Sequence, residues 1–185
     1  MNYKGELPVI ENSKAAEDAA VLNVARQMCA AARTAPKACG IDHLSTCIVT
    51  DEDKGKLADE MERISKEKNL PFFGRDAGNV RASQAVVLIG CIDEPRGLNE
   101  SCKLCKRKNC AENELDKGVC VFDPMDLGIA LGSAVSIAAD NRLDNRIMFT
   151  AGQAAIALKI FPEEVKIAMG IPLSATRKSP YFDRK

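Results

Sequence analysis

At 185 residues, the chain has the length of one domain, or of one domain carrying an inserted module. Apolar residues make up 46% of it, enough for a sizeable core, but Trp is absent and aromatics are only 4%, so Ala, Val, Ile, Leu and Met must build that core. The 26 basic and 26 acidic side chains cancel, which argues against a general nucleic-acid binder, since such proteins carry a basic excess.

Ser13 to Thr34 is predicted as a helix, with Ser13 as N-cap and Glu17 and Asp18 in its first turns, where the dipole favours acids. Val21, Val24, Met28 and Ala31 form its apolar face, and Pro36 ends it. A loop from Lys37 to Leu44 leads into a short strand, Thr46 to Thr50. Asp51 to Lys68 is a second helix with Leu57, Met61 and Ile64 inward, and Asn69 to Asn79, with two glycines and a proline, reads as a loop. Ala85 to Ile92 is almost continuously apolar and rich in Val and Ile, the pattern of a central strand covered on both faces.

From Asp93 to Gly118 the chain becomes polar, charged and cysteine-rich, with too few large apolar side chains for a core of its own. Asp123 and Pro124 then read as the N-cap and first position of a helix to about Ala139, with Gly128 and Gly132 on one face. Those glycines cost roughly 1 kcal/mol each relative to Ala, which close approach of another helix or a cofactor would justify. Arg146 to Thr150 reads as a strand, Ala151 to Ile160 as a helix, Val165 to Met169 as a strand, and Gly170 to Lys185 as an extended arm. This alternation predicts an α+β fold with helices packed on a mixed sheet.

Eight cysteines are many for this length. Met1 to Glu11 shows no basic segment followed by an apolar one, and no apolar run reaches the roughly 18 residues of a membrane span. The expectation is therefore a cytoplasmic chain with reduced thiols, where clustered cysteines signal metal or redox chemistry. Cys29, Cys47 and Cys91 lie in apolar segments and read as ordinary buried thiols, while Cys39, in a Gly-containing loop, is a candidate reactive thiol.

The other four are concentrated in one segment. Cys102, Cys105, Cys110 and Cys120 have the spacing C-x2-C-x4-C-x9-C, compact enough to close around one metal centre without a distant ligand. Structural zinc sites often use two C-x2-C knuckles, and only one is present. One knuckle with two differently spaced cysteines suits an iron–sulfur cluster, whose corners are ligated separately; a structural zinc site is the alternative. Lys103, Lys106, Arg107 and Lys108 would offset the negative charge of a thiolate-ligated cluster, or form a solvated basic face. His43 is the single histidine, which excludes two-histidine metal motifs. No P-loop, G-x-G-x-x-G turn or G-x-S-x-G elbow is present.

The four cysteines, followed by VFDPMDLGIALGSA, DNRIMFTAG and GIPLSATRKSPYFDR, resemble a family of uncharacterised ferredoxin-domain-containing proteins of bacteria and archaea. The resemblance runs from about Ala25 to Arg184 and implies a four-iron, four-sulfur cluster. A second resemblance lies in ARTAPKACGIDHLSTCIVT, Ala32 to Thr50, which is similar to the first helix-to-strand turn of flavin nitroreductases. It implies a nitroreductase-like α+β fold for residues 1–185, a ferredoxin-like module inserted at 93–120, and a homodimer with FMN at its interface. The sequence departs from that second pattern. The paired arginines and serine that grip flavin phosphate do not precede Ser13, and Gly40-Ile41-Asp42-His43 replaces the usual Asn-x-Gln-Pro-Trp, which argues against FMN. If flavin binds, Arg33, Lys37 and Arg177 are the cations for its phosphate, by charge preference. The implied function is iron–sulfur redox chemistry: electron transfer to a partner protein, or a flavin-linked oxidoreductase.

Overall fold

The structure, a computed structural model, describes residues 10–182; the Asp183-Arg184 end of the terminal motif and residues 1–9 lie outside the described part. Helix α1 spans Ser13–Thr34, β1 Leu44–Val49, α2 Asp51–Glu67, α3 Pro71–Ala82 and β2 Ala85–Ile92. After the cysteine-rich segment, which contains the short helix α4 (Cys110–Leu115), come α5 (Phe122–Asp140), β3 (Asp144–Asn145), α6 (Phe149–Ala157) and β4 (Val165–Ser174).

The four strands form one sheet in the order β1-β2-β4-β3. Every pairing is antiparallel, so the sheet is not the mixed one expected. β2 is central, and its alternation sorts the core onto two faces. Ala85, Val87, Ile89 and Cys91 face Val21, Met28, Leu127 and Ala134 of α1 and α5. Val86 and Leu88 face Leu57 and Met61 of α2, Phe73 of α3 and Ala154 of α6. The result is helices on both faces of an antiparallel sheet.

Local details differ from the sequence reading for identifiable reasons. Asn12, not Ser13, caps α1, its side chain accepting the Ala15 N–H at 3.0 Å. The expected loop from Asn69 is helix α3, whose Pro71 sits where no intrahelical N–H is needed, while Phe73, Ala77 and Val80 are buried. Of the expected strand Arg146 to Thr150, only Met148 pairs, in an isolated bridge to Gly170, and α6 has begun by Phe149. α6 lies directly on β4: a Cβ on Gly152 would fall 1.8 Å from the Ala168 carbonyl oxygen, so only glycine fits.

β4 continues to Ser174, so the arm begins later than expected. Tyr181 folds back into the core, its hydroxyl paired with Ser174 and its carbonyl accepting Arg146 at 3.1 Å, while Phe182 remains exposed beneath the Arg146 guanidinium. α5 is long and apolar enough by length and composition to cross a membrane. Its Leu127, Ala130, Leu131, Ala134 and Ala138 are instead buried against α1 and the sheet.

Candidate metal centre

The segment between β2 and α5 is shaped by tight turns. Asn99, Lys103, Lys106 and Lys117 all take left-handed backbone angles, φ 48° to 62°, which reverse the chain repeatedly. Cys102 follows a single 3-10 turn (Asn99–Ser101), Cys110 opens α4, and Cys120 closes the segment just before α5. Asn109 caps α4 by accepting the Glu112 N–H at 2.9 Å. Within α4, the buried Asn113 donates to the Gly118 carbonyl at 3.1 Å and holds the following turn.

These turns bring Cys102, Cys105, Cys110 and Cys120 to the wall of one small cavity, together with Arg96, Asn113 and Phe122. All four are free thiols. The Asn99 N–H points to the Cys110 sulfur at 3.4 Å and the Leu104 N–H to the Cys102 sulfur at 3.5 Å. Among the described residues, no three His, Cys, Asp or Glu side chains stand at the spacing that holds a single metal ion.

A buried ionic network joins this segment to the body of the fold. The Arg96 side chain is 1% exposed; its guanidinium reaches Asp123 at 2.7 Å and Asp126 at 2.9 Å, both in the first two turns of α5. Asp123, wholly buried, also accepts the Glu94 N–H at 2.9 Å. Asp126 accepts the Ala38 N–H, from the loop after α1, on both oxygens at 3.1 Å. His43 lies against the same group, its Nδ1 2.9 Å from Asp123 and in contact with Arg96. A protonated Nδ1 donates to Asp123 and a bare one accepts from Arg96, so the ring tautomer decides which bond forms. Burial alone would pull the Arg96 pKa down, but its bonds to Asp126 and Asp123 outweigh that and raise it. Asp93 completes the tie by accepting the Cys120 N–H at 2.9 Å.

Asp123 was expected to cap α5. It lies inside the first turn instead, with Val121 at the cap position and Pro124 two residues deeper than foreseen, and its carboxylate serves the network. Arg33 pairs with Asp42 and donates to the Leu44 carbonyl at 3.1 Å. The Lys37 ammonium, almost buried, lies on the carbonyls that end α1, including Ala35 at 2.8 Å. Arg177 lines a separate open cleft of about 930 Å³ with Lys14, Lys54 and Arg142, at the Ala85 end of β2. Arg33 stands at the other end, beside Leu44, which pairs with Cys91, so six strand steps, roughly 20 Å, separate the positions. The three candidate flavin cations are not brought together within one chain.

Cys39 is exposed on a left-handed turn and does not line the four-cysteine cavity. Cys91 is fully buried, and burial, then the Asp123 charge, pushes its thiol up to about 12; burial pushes Cys47 up to about 11. Both behave as core residues. Gly128 and Gly132 are exposed, with nothing within 4 Å of a Cβ at either. Arg96, Asp93 and Asn113 were not anticipated, and His43 and Asp123 were assigned lesser roles. Two acids three apart at the start of an otherwise apolar helix were the available signal, because buried carboxylates require a partner.

Residues 116–184 match the sequence profile of the family described as uncharacterised proteins containing a ferredoxin domain (DUF2148). An uncharacterised protein of Archaeoglobus fulgidus is 41% identical over 181 residues, covering 94% of this chain and 96% of that one. The chain belongs to this family of ferredoxin-domain proteins.

Its fold is that of the nitroreductases. The Lactococcus lactis nitroreductase CinD, solved in complex with nicotinic acid, superposes with a TM-score of 0.60 at 13% identity, over 92% of this chain and 82% of its own. A Desulfovibrio desulfuricans putative nitroreductase in complex with FMN gives 0.56 at 14%, over 88% and 78%. The hypothetical oxidoreductase YcnD of Bacillus subtilis gives 0.55 at 15%, over 85% of this chain but only 58% of its own length.

Proposed function

We infer that this protein is an iron–sulfur redox protein on a nitroreductase-like scaffold, with Cys102, Cys105, Cys110 and Cys120 as the ligands of one four-iron, four-sulfur cluster. The observation that carries the reading is the meeting of these four thiols on one cavity wall, although they are spread over 19 positions of the chain. Their arrangement favours a cluster over lone zinc. Structural zinc sites often pair two C-x2-C knuckles, and only Cys102 and Cys105 make one here. A cluster takes each thiolate on its own corner. The N–H donors beside Cys102 and Cys110 suit the negative charge of such a group. When bound, a cluster ligated by four cysteines supplies electron transfer, having no open position for substrate. The chain's own residues hold the sulfurs, direct N–H groups at them and seal one side with the Arg96 network.

The assembly we favour is a homodimer that exchanges electrons with a partner protein. Met125, Gly128, Ile129 and Gly132 form an exposed stripe on α5, facing away from its buried side, with room for a second helix. Light scattering that gave a monomer across a wide concentration range would remove the dimer.

A flavin-linked oxidoreductase is the second reading, favoured by the fold and by the open cleft around Arg177, although Glu17, Asp18, Asp51 and Asp144 there balance its four basic side chains. Anaerobic purification with iron, sulfide, zinc and flavin analysis separates the readings. Iron and acid-labile sulfide are expected, and they should be lost on Cys-to-Ser change at any of the four cysteines but retained in Cys29→Ser and Cys47→Ser. Stoichiometric zinc, with no iron or sulfide even after reconstitution, would leave a non-enzymatic protein with a structural zinc site.

A further inference from the structure

Arginine has five N–H donors in a rigid fork, and burying any one of them without an acceptor is unfavourable. Arg96 spends its two terminal nitrogens on Asp123, Asp126, His43 and the Glu94 carbonyl. Its Nε has no hydrogen-bond partner, although it is sealed from solvent. The two carboxylates fix the guanidinium plane, so this donor cannot turn away to find one. The same side chain lines the cavity shared by Cys102, Cys105, Cys110 and Cys120. Few buried donors in a folded protein are left in this state, and each calls for an acceptor that occupies the site in the working molecule.

We propose that the Arg96 Nε–H is held in reserve for the group carried by the four thiolates, to which it donates a hydrogen bond. This rests on the iron–sulfur reading above. Asp123 and Asp126 are then positioning residues: they orient the guanidinium and keep it charged, and Asp126 extends that hold to the Ala38 N–H. Because a reduced cluster is more negative than an oxidised one, a donor and a positive charge beside it favour reduction and raise the midpoint potential. Lysine at this position would keep the charge and could pair with one carboxylate, but it has no nitrogen where Nε stands.

The test uses full-length protein reconstituted anaerobically with ferrous iron and sulfide, with iron and sulfide measured first. Dithionite titration with redox mediators should show Arg96→Lys binding iron at the wild-type ratio while its midpoint falls by about 59 mV, a tenfold loss in the one-electron reduction equilibrium. The direct readout needs no change at Arg96. Arg107 also lines the cavity, so Arg107→Lys protein is grown on arginine labelled with 15N at Nε, and pulsed EPR of the reduced cluster should detect 15N coupling. Adding Arg96→Lys should abolish that coupling. An iron-loaded Arg107→Lys protein without 15N coupling overturns the Arg96 assignment and leaves the cluster standing, whether or not Arg96→Lys folds. An unchanged midpoint in iron-loaded Arg96→Lys also overturns it. Protein that takes up no iron and sulfide overturns the cluster reading and this inference together.

Discussion

From Ala85 to Cys91 every residue of β2 is buried, whereas in the segment that follows, from Asp93 to Val119, no apolar side chain joins the core. The strand is held by contact on both faces. The segment is held by a few polar devices: the Arg96 network, the Asn113 turn and the Asp93 bond to the Cys120 N–H. Ordering backbone costs roughly 1–2 kcal/mol per residue, and a handful of hydrogen bonds worth about 1 kcal/mol each cannot offset that over such a stretch. The strand therefore draws its order from the core, whereas the cysteine segment depends on its polar ties to β2 and α5.

Breaking the tie should have the largest effect. Asp123→Ala leaves Arg96 buried beside a single carboxylate and the Glu94 N–H without its acceptor. Removing one partner of a buried pair costs about 3–5 kcal/mol, so urea unfolding should shift by that amount. A shift under ~1 kcal/mol would mean that the network contributes little to joining the two regions. Leu88→Ala, in the fully buried centre of β2, should cost about 2–5 kcal/mol by cavity formation. Its iron content per folded molecule should remain that of the wild type, since no ligand lies on that strand. Parallel loss of iron and stability would show that the two regions are not separately held.

The two regions were unequally legible in the sequence. β2 announced itself because a strand covered on both faces must be apolar at every position, a purely local pattern. The clustering of four cysteines was legible for a similar reason, since residues that meet at one cavity within one segment keep a short spacing. α3 was missed because Pro71, Gly74 and Gly78 look like breakers. Tertiary burial of Phe73, Ala77 and Val80 outweighs their low propensity. The network was invisible because its members are dispersed: His43 and Asp123 stand 80 positions apart, and nothing local distinguishes a partnered carboxylate from a solvated one. The antiparallel sheet was hidden likewise, because element order does not specify strand direction.

A smaller global effect sharpens the contrast from the side of the segment. Cys110→Ser should lower iron content while moving the urea midpoint of the sheet by less than ~1 kcal/mol, since Cys110 is only half-buried and outside both core clusters. Amide exchange from Asn99 to Lys117 should accelerate, and exchange in β2 should not. Slow exchange retained throughout that segment in the iron-free variant would show that the turns and α4 are sufficient without a ligated centre.

Tyr181 supplies the smallest effect and an intermediate case, a polar group placed inside the apolar region. It belongs to the buried cluster on the α2, α3 and α6 side of the sheet, and its hydroxyl pairs with the buried Ser174. Burial raises the phenol pKa above its ordinary value, and the Ser174 bond only partly opposes this. The folded state therefore keeps the proton in a range where the unfolded chain has released it. That contribution is complete below about pH 10, the unfolded value, and declines as pH rises through the raised folded value. Cys47 and Cys91 add losses of the same sign at alkaline pH, so the wild-type slope alone is not diagnostic. The difference between wild type and Tyr181→Phe is, because the thiols are common to both. At pH 8 the variant should be less stable by about 1 kcal/mol, the worth of one hydrogen bond. Between pH 10 and about 11 the gap should narrow, as only the wild type carries a phenol to ionise. Parallel urea midpoints across that range would mean that the Tyr181 hydroxyl titrates as if exposed, and that the arm is not docked in the core.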